Sequence, residues 1–179
     1  MVSHELCKFS LEGSYLDGIA SVYAHALNLD WAAEYPGFLH YVQSYPDFHG
    51  LAAVVEGNVV GVGWGTRTQP GEWFYDRVAA QIGGDHPVLR DAWLLNTLAV
   101  LEAYRRQGIG SRLHDALLEA HHCPRALVCT PIKNAPSRRL YEHKGWQYLQ
   151  PDCTIQAGKR QMIVLHKELV NSPFSKPVT

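Results

Sequence analysis

The chain has 179 residues, 46% of them apolar and 18% charged. That is roughly the length of one domain, able to bury about two-thirds of its unfolded surface, and it excludes a disordered or collagen-like chain. A formal charge of −1 lacks the basic excess of nucleic-acid or membrane-surface proteins, so neither partner is expected. Apolar runs such as 92–95 and 98–101 fall far short of the ~18 residues of a membrane span. The start, Met1-Val2-Ser3-His4-Glu5, has no basic segment leading into an apolar stretch, so no signal peptide is read and a cytoplasmic setting is expected.

The charge total hides a split. Residues 1–100 carry 4 basic and 11 acidic side chains, a balance of −7, whereas residues 101–179 carry 12 and 6, a balance of +6. Two readings stand: halves that face ligands of opposite charge, or scatter over a solvated surface. Cys7, Cys123, Cys129 and Cys153 make no C-x-x-C pair, so reduced thiols are expected. His121-His122-Cys123 lies at a helix end, where adjacent side chains point apart, and no metal site is expected.

In chain order, residues 6–9 read as a strand. Ser14 with Asp17 resembles a helix cap, and Ile19, Ala20, Tyr23 and Leu27 recur at helical spacing, giving a helix to about Asn28. Residues 30–48 are rich in aromatics and punctuated by Pro36 and Pro46, which predicts a second helix between the prolines. Two β-rich runs, 51–56 and 59–66, flank Gly57-Asn58, a two-residue hairpin signal. Residues 72–82 read as a helix ending at Gly83-Gly84, and 92–101 as a central strand apolar on both faces. After Gly108, Ile109, Leu113, Ala116, Leu117 and Ala120 share one helical face. A strand at 126–129, a helix at 136–144 closed by Gly145, and strands at 146–149 and 162–167 complete an α/β pattern with a mixed sheet.

Two places carry chemistry. The first is Arg105-Arg106-Gln107-Gly108-Ile109-Gly110-Ser111, between the apolar strand and the amphipathic helix. Glycines let a ligand approach the backbone there, and first-turn N–H groups with the ~+0.5 charge of a helix dipole suit a pyrophosphate. A tight strand-to-helix turn needs the same glycines for steric reasons alone. Without Gly-Lys-Ser/Thr, and with Leu113 in place of a third glycine, the loop is neither a Walker A loop nor a full G-x-G-x-x-G. The second place opens the next helix, where Asn134, Ser137 and Tyr141 line one face over about 10 Å. That stripe suits an extended ligand, or else is a helix cap and a core aromatic.

Taken together, Leu98-Ala99-Val100, Arg105-x-x-Gly108-x-Gly110 and Asn134-x-x-Ser137-x-x-Leu140-Tyr141-x-x-x-Gly145-Trp146 resemble the GNAT family of N-acetyltransferases, whose loop motif reads Q/R-x-x-G-x-G/A. The likeness extends in order over about residues 4–169. It implies a central, mostly antiparallel sheet with a splayed strand pair and flanking helices. One domain would span 1–170, with 171–179 as a tail.

The resemblance also implies acetyl-CoA as cosubstrate and no metal. The backbone of Leu98 and Val100 would bond the pantetheine arm. N–H groups of Arg106, Gln107, Gly108, Ile109, Gly110 and Ser111 would hold the pyrophosphate, with the guanidinium groups of Arg105, Arg106 or Arg112 near the remaining phosphate. Asn134 and Ser137 would lie along the pantetheine. The Val100 N–H is the implied oxyanion donor, and Tyr141 the acid facing the departing thiolate.

The strand that in many relatives carries a carboxylate holds Asn96 and Thr97, neither of which is a base at neutral pH. The proton leaves by a water chain, or to a group elsewhere such as Glu72, Asp76, Asp85 or His86. The acceptor is expected to be a small-molecule amine, with a protein amine or a non-catalytic acyl-CoA-binding module as alternatives. The aromatics of 30–48 and Trp73, Phe74 and Tyr75 either wall its pocket or pack helices on the sheet. Homodimers are common in such families, but nothing in this sequence marks an interface.

Overall fold

The computed structural model describes residues 4–9, 15–27, 44–45, 47–149 and 152–169. The elements are β1 (Glu5–Lys8), α1 (Leu16–Leu27), β2 (His49–Val55), β3 (Asn58–Arg67), α2 (Trp73–Ile82), β4 (Ala92–Val100), α3 (Ile109–Ala120), β5 (Arg125–Pro131), α4 (Ala135–His143), β6 (Gln147–Tyr148), β7 (Thr154–Ala157) and β8 (Arg160–Glu168). The strands join in one sheet in the order β1-β2-β3-β4-β5-β8-β6, with β7 also on β8. β4 and β5 run parallel, whereas β1–β2, β2–β3, β5–β8, β6–β8 and β7–β8 are antiparallel. This is the expected mixed, mostly antiparallel sheet. The expected Ser14 cap and most of the aromatic helix within 30–48 lie outside the described residues.

The chain divides into two compact units, Met1–Thr66 with Asn96–His121, and Arg67–Leu95 with His122–Thr179. In the first, the hairpin turn falls on Glu56-Gly57 rather than Gly57-Asn58, because Val55 pairs with Asn58. Such a turn needs positive φ at both central residues. Glu56 (φ 49°) and Gly57 (φ 79°) supply it, and Asn58 Nδ2 donates to the Glu56 carbonyl at 3.1 Å. Ile19 and Val22 of α1 pack with Ala52, Val54, Val62 and Trp64 of the hairpin. Each fully buried aliphatic side chain there contributes about 1.5–3 kcal/mol.

Two glycines of β3 seat α3. A Cβ on Gly61 would stand 3.2 Å from Ile109 Cγ2 and from Leu113 Cδ1, and one on Gly63 would stand 2.6 Å from Leu117 Cδ1. The buried stripe Ile109, Leu113 and Leu117 therefore rests almost on bare backbone. This close seating fixes where the head of α3 lies relative to the end of β4.

In the second unit, Ala92–Leu95 pair with Arg125–Val128, and β8 flanks the whole of β5. Phe74 and Val78 of α2 share a core with Leu94, Leu127 and Val164. β7 was not anticipated from the sequence. Its four residues, Thr-Ile-Gln-Ala, are too short to show a period, and pairing with β8 across Gly158 (φ 57°) makes them a strand. Arg125 braces this unit, donating to Glu168 Oε1 at 3.2 Å and to the carbonyls of Pro87 (2.7 Å) and Arg90 (2.8 Å).

Candidate active site

The first unit holds the glycine loop. β4 ends at Val100, a single 3-10 turn covers Glu102–Tyr104, and α3 starts at Ile109. Gly108 is its cap, left-handed at φ 85°, with no side chain to satisfy the first-turn N–H groups. The first intrahelical bond runs from Arg112 N to Gly108 O at 3.0 Å, so the N–H groups of Ile109, Gly110 and Ser111 have no acceptor within the helix. Arg106 is also left-handed, at φ 59°, and alternation of handedness along a loop turns successive N–H groups into one concavity suited to an anion. Among the described residues, nothing lies within 4 Å of a Cβ built on Gly108, and Val100 Cγ2 at 3.7 Å is the nearest atom to one on Gly110. Packing does not demand a glycine at 110, whereas the positive φ at 108 favours one.

The end of β4 is oriented by its neighbour. Leu101 N donates to Val60 O at 2.9 Å, and the carbonyls of Ala99 and Thr97 lie beside Gly61 and Gly63 of β3. Strand alternation therefore directs the N–H and C=O of Leu98 and Val100 away from β3, as an arm lying along β4 would require. The Val100 carbonyl is engaged by Arg105 Nε at 3.0 Å. Arg112 turns to His4, donating to its carbonyl at 3.3 Å, and Gln107 Nε2 donates to Ala103 O at 3.2 Å. Asn96 Oδ1 accepts from the buried Thr66 hydroxyl at 3.2 Å, a neutral pair with no basic member.

The second unit holds Asn134, Ser137 and Tyr141. Asn134 caps α4, its Oδ1 accepting from Ser137 N at 3.3 Å. Tyr141 is 5% exposed, with its ring edge-on to Trp146 at 5.5 Å. Burial, and secondarily the nearby Cys129 thiol, raise its phenol well above the ordinary value, so the hydroxyl keeps its proton. The Cys129 thiol is itself pushed up to about 12 by burial.

Of the groups considered as bases, Asp76 accepts from Gly71 N at 3.0 Å and His86 Nδ1 from Val88 N at 3.2 Å, so both serve local turns. Glu72 differs. Its Oε2 accepts from Gln69 N at 3.2 Å, and burial raises its pKa against the lowering effect of its hydrogen bonds. Thr68, a buried residue that the sequence did not single out, turns its hydroxyl to this carboxylate as a hydrogen-bond donor. No periodicity marks such a pair, because Thr68 lies in the loop between β3 and α2. Phe74 is a core residue, and Tyr75 donates to Gly84 O at 3.0 Å. Trp73 alone of the three is well exposed, with Arg77 over its ring at 5.2 Å. Among the described residues, no His, Cys, Asp and Glu side chains group into a metal site, and no helix is long and apolar enough to cross a membrane.

The fold is an α/β sheet whose central strand runs through a glycine turn into an uncapped helix, an arrangement that suits an anionic group. Comparison with known proteins names the class. Residues 18–146 match the model of the acetyltransferase (GNAT) family, and the chain belongs to that family. Its fold is similar to that of an IAA acetyltransferase from Bacillus cereus ATCC 14579, with TM-score 0.63 and 19% identity, over 93% of this chain and 100% of that one. The ribosomal-protein-S18-alanine N-acetyltransferase from Escherichia coli gives TM-score 0.64 and 14% identity, over 98% and 99% of the two chains. A ribosomal-protein-alanine N-acetyltransferase from Brucella melitensis gives 0.66 and 18%, over 92% and 99%. No curated protein matches the chain by sequence.

Proposed function

We propose that this protein, as one domain over residues 1–170, moves the acetyl group of acetyl-CoA to a primary amine of a small molecule by direct attack in a ternary complex. The uncapped head of α3, behind the left-handed Gly108, is the observation that carries the reading. Its residues fit the cosubstrate: open space at Gly108 among the described residues, N–H groups at Ile109, Gly110 and Ser111, without an acceptor in the helix, for the pyrophosphate, and the outward edge of Leu98 and Val100 for the pantetheine amides. Asn134, through its Nδ2, and Ser137 are the polar contacts proposed along the arm. When bound, acetyl-CoA supplies the thioester carbonyl that the amine attacks.

The Val100 N–H is the donor proposed for the oxyanion. The amine must be unprotonated to attack, and its surplus proton ends on the sulfur, so that amine and thioester become amide and thiol. The Tyr141 phenol, raised by burial, is a weaker acid than a thiol of ~8.5. Its role is therefore a hydrogen bond to the developing thiolate rather than a full proton transfer. A cytoplasmic setting suits acetyl-CoA and free thiols at Cys7, Cys123, Cys129 and Cys153.

The test is thiol release from acetyl-CoA over a panel of small amines, with a peptide bearing a free amino terminus included. Turnover with small amines is expected. Turnover confined to the peptide would move the acceptor to a protein amine. Tight coenzyme A binding with no thiol release would identify a non-catalytic module instead.

A further inference from the structure

We propose that Arg105 is a positioning residue that acts through Val100 rather than on a phosphate: its guanidinium clamps the end of β4 to the glycine loop. The proposal rests on the acetyl-transfer reading for what the clamp presents. Arg105 Nε donates to Val100 O at 3.0 Å, closing a loop that also holds two backbone bonds, Tyr104 N to Leu101 O at 2.9 Å and Arg105 N to Glu102 O at 3.2 Å. Gln107 Nε2 to Ala103 O, at 3.2 Å, adds a second side-chain tie. The segment between β4 and α3 is thus laced to itself immediately before two left-handed residues, Arg106 and Gly108.

The clamp has an electrostatic consequence at the edge where the ligand would lie. The N–H and C=O of one strand residue point to the same side, so the outward edge at Val100 offers a donor and an acceptor close together. An unengaged carbonyl would set its negative end beside the site where negative charge develops. Arg105 occupies that carbonyl with a charged donor, and a guanidinium is always protonated at working pH. One lone pair of that carbonyl is thereby committed, and the other stays on the edge with the Val100 N–H. The same bond fixes the distance from that N–H to the head of α3, which Gly61 and Gly63 hold by their close contact with Ile109, Leu113 and Leu117.

A clamp and a phosphate contact are separated by a donor that has no phosphate. Thiol release is measured for the full chain with acetyl-CoA and with S-acetylpantetheine, for the natural protein, Arg105→Met and Arg105→Gln. The bond is solvent-exposed, so Arg105→Met is expected to lower kcat about three- to tenfold with both donors alike. Arg105→Gln, which keeps an N–H donor, restores much of the loss. A loss confined to acetyl-CoA and read only in its KM overturns the clamp in favour of phosphate contact. The carbonyl carbon-13 shift of Val100 supplies a readout without turnover. It should move in Arg105→Met and return toward the natural value in Arg105→Gln, and an unmoved shift overturns the proposal. A natural protein that releases no thiol from either donor, yet shows that shift pattern, retains the clamp and loses the acetyl-transfer reading.

Discussion

Two helices of this protein begin in opposite ways, and the contrast bears on the proposed anion site. At the head of α4 each backbone donor is accounted for: Ala135 N bonds Lys133 O at 3.1 Å, Pro136 has no N–H, and Ser137 N bonds Asn134 Oδ1 at 3.3 Å. At the head of α3 the cap is a glycine with no side chain to offer, and three first-turn donors lack an acceptor within the helix. Orphan donors cost stability unless water or a ligand meets them. The closed head therefore reads as structure, with Asn134 serving its own helix. The open head reads as a place kept for a ligand.

The largest test of this contrast lies in catalysis. Tyr141→Phe, on the closed helix, removes the one hydroxyl proposed to meet the leaving sulfur and should cut turnover about 10²-fold, with little change in acetyl-CoA affinity. Steady-state kinetics will show it, and an unchanged kcat would remove Tyr141 from the reaction. Gly108→Val, on the open head, should weaken acetyl-CoA binding by at least ~10-fold, equivalent to ~1.4 kcal/mol, in calorimetry. A β-branched residue at φ 85° should also lower the melting temperature. An unaltered dissociation constant in the folded variant would refute the loop assignment.

Asn134→Ala should cost about 1 kcal/mol of stability in denaturant titration, the usual worth of a cap. If Asn134 also meets the pantetheine arm, affinity falls beyond what the cap explains. Gly110→Ala sharpens the contrast further. Among the described residues its methyl would find only Val100 Cγ2, at 3.7 Å, so stability should hold while affinity drops a few-fold, about 0.5–1 kcal/mol. Unchanged affinity would mean that no ligand passes close to residue 110.

The smallest expected effect concerns a third helix head. Glu72 precedes α2 without capping it by its side chain, and burial raises its pKa. A raised carboxyl favours the folded state fully below its unfolded value of ~4.3, and that contribution is lost as pH rises through the folded value. Glu72→Gln should therefore be slightly more stable than the natural protein at pH 7. The two melting temperatures should converge near pH 4, and a gap that widens in acid would reverse the assignment.

The charge split between residues 1–100 and 101–179 takes on a more local meaning. In the basic half, Arg112 bonds His4, Arg125 braces the 87–90 turn and Glu168, and Arg138 bonds Tyr148 and the Ile132 carbonyl. Much of the positive excess thus holds the fold. With Arg105 on Val100, the backbone donors of the glycine loop, rather than its arginines, carry most of the case for anion binding.

Local chemistry made several parts of this protein legible in the sequence. Glycine at 108 marks the turn because few other residues accept its φ, and the apolar spacing from Ile109 to Leu117 marks the helix because 3.6 residues close a turn. The alternatives at Asn134 were legible too, since asparagine before a proline-led helix is a cap by its own geometry. Tertiary structure decided the rest. β7 exists only through its partner β8, and the hairpin turn shifted by one residue because register across the strands selected Glu56-Gly57. Gly61 and Gly63 reveal their purpose only when α3 lies on them, and Arg105 turns from a phosphate candidate into a clamp only once the Val100 carbonyl stands beside it. Residues near in sequence constrain one another through backbone geometry, which composition and spacing record. Partners distant in sequence, or brought together by a loop closing on itself, become neighbours only when the chain has folded.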